Sequence, residues 1–215
     1  MATIAPPFPK KESLPPGGDR LGFDRRGSGD GGGKSRPVPE RRYYTGMLLG
    51  LAAIVMVFAA FTSALVVRSG ISDDWQATAL PGILWLNTLI LLASSFTLEK
   101  ARRSYDTTGH FQRWWWATTV LGTAFLTGQM LAWLQLINEG VYVSTNPSSS
   151  FFYVLTVTHG IHLLGGVMAL LYISWKIRWK TSHTSTATIL GVTSLYWHFM
   201  DGLWVYLFGL LLFWR

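Results

Sequence analysis

Residues 189–214 read ILGVTSLYWHFMDGLWVYLFGLLLFW, a stretch in which Asp201 is the one formally charged side chain. The stretch is longer than the roughly 20 apolar residues that a helix needs to cross ~30 Å of hydrocarbon at ~1.5 Å per residue. Lipid offers no hydrogen-bond partners to the backbone, so a spanning segment must satisfy its backbone groups internally. This segment is therefore predicted to be a transmembrane helix rather than a strand.

Four further apolar segments precede it along the chain. Together with Ile189–Trp214, the candidate membrane spans are Met47–Val67, Leu80–Leu98, Trp114–Leu136 and Phe151–Trp175. Trp and Tyr residues flank these segments, as expected where a helix passes through the headgroup region. The predicted fold is an all-α, polytopic membrane bundle of five transmembrane helices.

Composition divides the chain into two parts. Residues 1–45 form a tail rich in Gly, Pro and basic residues, which we predict to be disordered because it has too little apolar area to bury. Residues 46–215 form the predicted transmembrane domain. Only 13% of all residues are charged, against about 25% in soluble domains. The chain has no Cys, which excludes disulfides and thiolate metal sites.

Lys and Arg are distributed unevenly across the predicted membrane. Nine lie in residues 1–45, four in 99–113 and three in 176–188, all on one side, whereas the other side has only Arg68 and Arg215. Cytoplasmic loops of membrane proteins carry this excess of basic residues. The N-terminus is therefore predicted inside and the C-terminus outside. The net charge of +7 follows from this bias, and no nucleic-acid partner is expected.

Polar side chains within the predicted helices are the candidate site residues, since polar groups in hydrocarbon are costly and usually face other helices. His159 and His162 are three residues apart, as are His198 and Asp201, so each pair shares a helix face. At ~1.5 Å per residue, His162 and Asp201 lie at similar depths if the last two helices are antiparallel neighbours. The full set is Asn87, Gln129, His159, His162, His198 and Asp201.

Three interpretations of this set are open from the residues alone. In the first, the side chains satisfy one another as an internal polar framework and contact lipid or another subunit. In the second, His159, His162 and His198, with Asp201, bind a metal or haem, which requires ligands that converge on one point. In the third, they handle protons. Spacing favours the first interpretation, because the two histidines of the fourth helix are one turn apart. We therefore expect no catalytic residue and no metal ligand in this chain.

Three motifs carry a family resemblance. Residues 86–94 read LNTLILLAS, residues 151–166 contain FF, THGIH and GG in this order, and residues 196–204 read YWHFMDGLW. These motifs resemble the subunit III family of the haem–copper oxidases, the cytochrome c oxidase subunit 3 family. The similarity covers about residues 42–215, and three motifs in order at these spacings are a specific match.

The resemblance implies a non-catalytic subunit of a proton-translocating respiratory terminal oxidase, which passes electrons to O₂. Such a subunit stabilises the catalytic subunit and supports proton uptake and sustained turnover. Family members carry no haem or copper, so these cofactors are expected in partner subunits, and bound phospholipid is expected here. The implied partners are oxidase subunit I, subunit II and membrane lipids, in the cell (inner) membrane. The chain looks like the shorter, five-helix form that lacks the first two helices of larger members.

Acidic residues depart from the family pattern in two places. Many relatives have an acid in the helix that corresponds to Met47–Val67, and often another in the helix that corresponds to Trp114–Leu136. Neither segment here contains one, so the expected role in proton uptake does not rest on those groups. The electron donor, cytochrome c or quinol, is left open. An independent membrane enzyme that binds haem or metal through the histidines is one alternative. A small transporter is another, which the lack of broken helices in matching halves disfavours.

Overall fold

The computed structural model describes residues 40–71, 80–104, 108–178 and 183–214. They form five helices: α1 (Glu40–Ile71), α2 (Ile83–Arg103), α3 (Thr108–Asn138), α4 (Pro147–Arg178) and α5 (His183–Phe213). Each helix contains a span long and apolar enough to cross a membrane. The prediction of five helical spans is confirmed, while the orientation of the termini stays a prediction. Apart from residues 40–45, the predicted disordered tail lies outside the described residues.

The helices extend beyond the predicted apolar segments. α1 begins at Glu40, so residues 40–45 of the predicted tail are helical, and α2 continues to Arg103. At that end of α2, the Glu99 carboxylate accepts hydrogen bonds from Arg102, at 3.1 Å, and from Arg103, at 2.7 Å. Pairs at these spacings stabilise a helix outside lipid. Hydropathy therefore marks the part of the helix that lies in hydrocarbon, not the end of the helix.

Helices α2 to α5 form a closed ring, in which each packs against the next and α5 packs against α2. Thr88 and Ser94 of α2 meet Trp204 and Trp197 of α5, so residue numbers rise on one helix as they fall on the other. The helices are therefore antiparallel, as in up-and-down bundles. The predicted adjacency of α4 and α5 is confirmed.

The first helix lies outside this ring and packs against α4 and α5. Thr62 of α1 meets Tyr206 of α5, and Ser69 meets Trp214. Residue numbers rise together on the two helices, so α1 runs parallel to α5. This direction is expected, because three spans, an odd number, lie between α1 and α5.

Each ring helix buries one stripe of its surface. On α2 the buried positions recur at helical spacing: Leu84, Asn87, Leu91, Ser94, Thr97, Leu98 and Ala101. The other face of the same helix exposes large apolar side chains such as Trp85, Leu89 and Phe96. In water such a surface would be an aggregation hazard, whereas in a membrane it faces lipid or another subunit.

Five indole N–H groups among the described residues donate hydrogen bonds to a hydroxyl on another helix. The pairs are Trp115–Ser174 and Trp133–Thr156 (α3 to α4), Trp197–Ser94 and Trp204–Thr88 (α5 to α2), and Trp214–Ser69 (the residue after α5 to α1). The hydroxyls of Thr88, Thr156 and Ser174 also donate to the carbonyl four residues earlier. Such a hydroxyl uses its proton within its own helix and accepts the indole N–H with a lone pair. Each pair satisfies an indole in lipid and fixes the register of two helices.

Candidate functional site

His159 lies in the interior of the ring and is fully buried. Its imidazole centroid is 5.2 Å from the Trp204 ring of α5 and 6.1 Å from the Phe125 ring of α3. The indole nitrogen of Trp204 donates to Thr88 Oγ1 of α2 at 3.0 Å. We call this set the Trp204 layer (Thr88, Phe125, His159 and Trp204), to which each ring helix contributes one residue. Within the described part of the chain, neither imidazole nitrogen of His159 has a hydrogen-bond partner.

Trp197, two turns earlier on α5, forms a second layer with Ser94, Gly122 and Gly166, which we call the Trp197 layer. Its indole nitrogen donates to Ser94 Oγ at 2.9 Å. The ring approaches α3 so closely that a Cβ at position 122 would lie 2.7 Å from Trp197 Cη2. A Cβ at position 166 would lie 3.3 Å from Trp197 Cζ3, whereas one at Gly165 would meet nothing within 4 Å. Of the two adjacent glycines on α4, only Gly166 serves this packing.

Asn87 and Gln129 are buried on the neighbouring helices α2 and α3. The Asn87 side chain occupies the space beside Gly128, where a Cβ would overlap with Asn87 Oδ1. The amide nitrogen of Asn87 and both polar atoms of Gln129 have no hydrogen-bond partner among the described residues. The two carboxamides are therefore enclosed by the ring without a direct hydrogen bond at these atoms.

His198 and Asp201 share a helix face, as their spacing predicts, and Ser95 of α2 lies beside both. Ser95 Oγ is 2.5 Å from His198 Nδ1, and the Ser95 side chain also neighbours the Asp201 carboxyl. Asp201 is buried, and neither of its carboxyl oxygens has a partner in good hydrogen-bond geometry among the described residues. His198 is partly exposed, and its Nε2 lies 3.9 Å from Glu99 Oε2. We call these four side chains the Ser95 group (Ser95, Glu99, His198 and Asp201).

His162 lies in a third environment, although it is only one turn from His159. Its Nδ1 is 2.7 Å from the Thr158 carbonyl oxygen, and its ring faces Phe58 of α1 at 5.9 Å. The three histidines thus face the ring interior, α1 and α2. In the described part of the chain, no three His, Asp or Glu side chains are placed to share a metal ion. Whether this chain binds a cofactor stays a prediction.

The structure therefore separates the six predicted residues into three places. Asn87, Gln129 and His159 lie inside the ring, His198 and Asp201 belong to the Ser95 group, and His162 faces α1. Their role as one polar framework stays a prediction.

Several functional neighbours were missed by sequence reasoning. Glu99 was placed in a loop, yet it lies within α2 and is close to His198. The tight glycines of α3, Gly122 and Gly128, were not recognised either. Both fall on the buried side of α3 together with Thr118 and Phe125. Small residues on a stripe of this spacing are the signal that could have identified them.

The helical part of the chain is similar to known proteins. Residues 38–215 match the sequence model of the family "Cytochrome c oxidase subunit III". The "Cytochrome c oxidase subunit 3" of Thermostichus vulcanus is 32% identical over 174 residues, which cover 77% of this chain and 84% of the relative. The protein of the same name from Synechocystis sp. is 34% identical over 179 residues, covering 79% and 74%. The "Probable cytochrome c oxidase subunit 3" of Nocardia farcinica is 32% identical over 177 residues, covering 79% and 87%.

Proposed function

Because the chain belongs to the cytochrome c oxidase subunit III family and is thus a subunit of a haem–copper oxidase, we propose that it is the non-catalytic subunit that stabilises the catalytic subunit during turnover. One observation carries this proposal. The interior histidines have separate surroundings instead of a common ligand position, while indole–hydroxyl pairs connect helices. Such an interior suits a scaffold for another subunit better than a redox centre.

Haem and copper reside in partner subunits, and this chain binds none. His159 supports this assignment, since Phe125 and Trp204 enclose its ring. The electron-transfer chemistry is then supplied entirely by the subunits on which this chain packs.

The partners are subunit I, subunit II and membrane lipids, in the cell (inner) membrane with the N-terminus inside. The exposed apolar faces support such partners, because they extend over all five helices. Trp85, Leu89 and Phe96 on α2 and Met130 and Leu134 on α3 are examples. A membrane protein of this size exposes such surface to lipid or to other helices.

The subunit also supports proton uptake, and the Ser95 group is its candidate element. The group begins at Glu99, which is paired with Arg102 and Arg103 at the end of α2, and it ends at the buried Asp201. His198 and Ser95 connect the two acids, with gaps of 3.9 Å and 2.5 Å at His198. The proposal rests on these two acids, because the first and third segments contain none.

The proposal is tested on the intact oxidase. In a strain that lacks this chain, a tagged wild-type copy is compared with His198→Ala and with Thr127→Ala. Thr127 is an exposed control whose hydroxyl donates to the Thr123 carbonyl of its own helix. We expect the wild-type chain to co-purify with subunits that carry haem and copper. His198→Ala is expected to lose assembly or to inactivate faster during turnover, with unchanged haem absorption bands, and Thr127→Ala to behave as wild type.

Two results would contradict the proposal. One is a His198→Ala complex with full subunit content and normal endurance but altered haem bands. The other is stoichiometric haem or metal in the chain purified alone, which would favour the independent haem or metal enzyme. The co-purifying subunits also identify the electron donor, since a copper-bearing subunit II indicates cytochrome c and its absence indicates quinol.

A further inference from the structure

Three consecutive ring helices, α2 to α4, each bury one polar side chain with at least one hydrogen-bonding atom that has no partner in the described part of the chain. The residues are Asn87 on α2, Gln129 on α3 and His159 on α4, with exposed fractions of 1%, 2% and 0%. Five atoms are involved: Asn87 Nδ2, Gln129 Nε2 and Oε1, and His159 Nδ1 and Nε2. A buried donor or acceptor without a partner bears its full desolvation cost, so this concentration requires a physical explanation.

The three side chains lie at the same depth in the ring. Asn87 packs beside Gly128, the residue that precedes Gln129. On α3, Gln129 lies one turn from Phe125 and one turn from Trp133. Phe125 contacts His159 of α4, and Trp133 donates to Thr156 of α4. Gln129 is therefore about level with residues 156–159 of α4, and the three polar residues lie at similar levels on their helices.

The chemistry of this set matches a small ligand that both donates and accepts. The two amide nitrogens and one imidazole nitrogen are donors, whereas Gln129 Oε1 and the other imidazole nitrogen are acceptors. Carboxamides and an enclosed imidazole do not supply the formal charge that a bound ion would require. Ala132, fully buried one turn from Gln129, contributes only a methyl group on this side of α3. Water both donates and accepts hydrogen bonds, and it is the smallest ligand that does so.

We propose that Asn87, Gln129 and His159 bind ordered water in the interior of the ring, next to the Trp204 layer. Buried waters typically make about three hydrogen bonds to polar groups that lack protein partners, and the five atoms can hold one to three such molecules. The water connects α2, α3 and α4 at the depth where Trp204 connects α5 to α2. The site does not depend on the proposed function, because it follows from the interior of this chain alone.

The first test is a high-resolution structure of the wild-type oxidase complex. We expect water density within hydrogen-bond distance of at least two of the three side chains. A direct hydrogen bond between the Gln129 amide and His159 or Asn87, with no water density between them, would overturn the proposal. This measurement needs no variant, so it decides the question even if substitutions disturb assembly.

The second test compares Gln129→Met with Gln135→Met in the intact complex. The Gln135 amide is exposed on the same helix and donates to Glu139 of that helix at 3.0 Å, so it is the matched control. If water bridges Gln129, the apolar variant leaves the water and its other partners incompletely bonded, and we expect a roughly fivefold shorter half-life of thermal inactivation. If the site is dry, Gln129→Met removes two buried polar atoms that have no partner, so the variant should be as stable as wild type or more stable. That result would refute the proposal. Gln135→Met is expected to match wild type.

Discussion

The indole nitrogen of Trp197 donates a hydrogen bond to Ser94 Oγ at 2.9 Å, and this bond crosses the ring from α5 to α2. The same indole lies against Gly122 of α3 and Gly166 of α4. One side chain of the YWHFMD motif therefore contacts all three other ring helices. The physical role of this part of the motif is to set the distance and register of the bundle.

Gly122→Ala is expected to destabilise the chain by about 1–3 kcal/mol, the usual cost of overpacking. The new Cβ would lie 2.7 Å from Trp197 Cη2, and a buried indole has little room to move. Gly165→Ala is the matched control, because its Cβ would meet nothing within 4 Å. Unfolding in mixed detergents or thermal inactivation of the complex measures the difference. Equal stability of the two variants would show that the Trp197 layer is not tightly packed.

Trp197→Phe and Ser94→Ala are expected to be coupled, because each removes one side of the same hydrogen bond. Such bonds inside membrane proteins contribute about 0.6 kcal/mol on average and up to about 1.7 kcal/mol. The measurement is a double-mutant cycle of unfolding free energies in the same detergent system. The pair Trp197→Phe and Thr88→Ala serves as control, since Thr88 accepts from Trp204 instead. Additive effects for Trp197 and Ser94 would mean that the bond contributes nothing.

Gly128→Ala is expected to be destabilising by a similar amount, about 1–3 kcal/mol, because its Cβ would overlap with Asn87 Oδ1. The clash involves only the Asn87 side chain, so Gly128→Ala should lower the stability less when Asn87→Ala is already present. The stability of the two single variants and the double variant in the assembled complex tests this. A cost of Gly128→Ala that is the same in both backgrounds would place the clash elsewhere.

The predicted orientation can be tested by cysteine labelling, because the chain has no Cys of its own. Ser144→Cys lies in the exposed connection between α3 and α4, and Ser104→Cys follows α2 at the opposite end of the bundle. With the N-terminus inside, a membrane-impermeant maleimide should label position 144 in intact cells and position 104 only after permeabilisation. The reverse pattern would invert the predicted topology.

The sequence by itself determined the number, type and approximate position of the helices. The length and hydropathy of the apolar segments suffice for this. In lipid the backbone groups of each segment must be hydrogen-bonded within the segment, which requires a helix. The motifs in 86–94, 151–166 and 196–204 also indicated the family before any geometry was known. Helix ends were less predictable, since α1 and α2 continue past the hydrophobic segment through ordinary intrahelical bonds.

Tertiary structure alone decided which polar groups meet. Residues three apart share a face in any helix, yet His159 and His162 face different neighbours because α3 and α5 contact one and α1 contacts the other. The partnership of Trp197 with Ser94 joins residues 103 positions apart, and no local pattern encodes a contact of that separation. The spacing of residues along one helix determines which stripe of its surface is buried. Which stripe of a neighbouring helix it packs against depends on the register between the two helices and on close approach at glycine. Those relations exist only once the ring has formed.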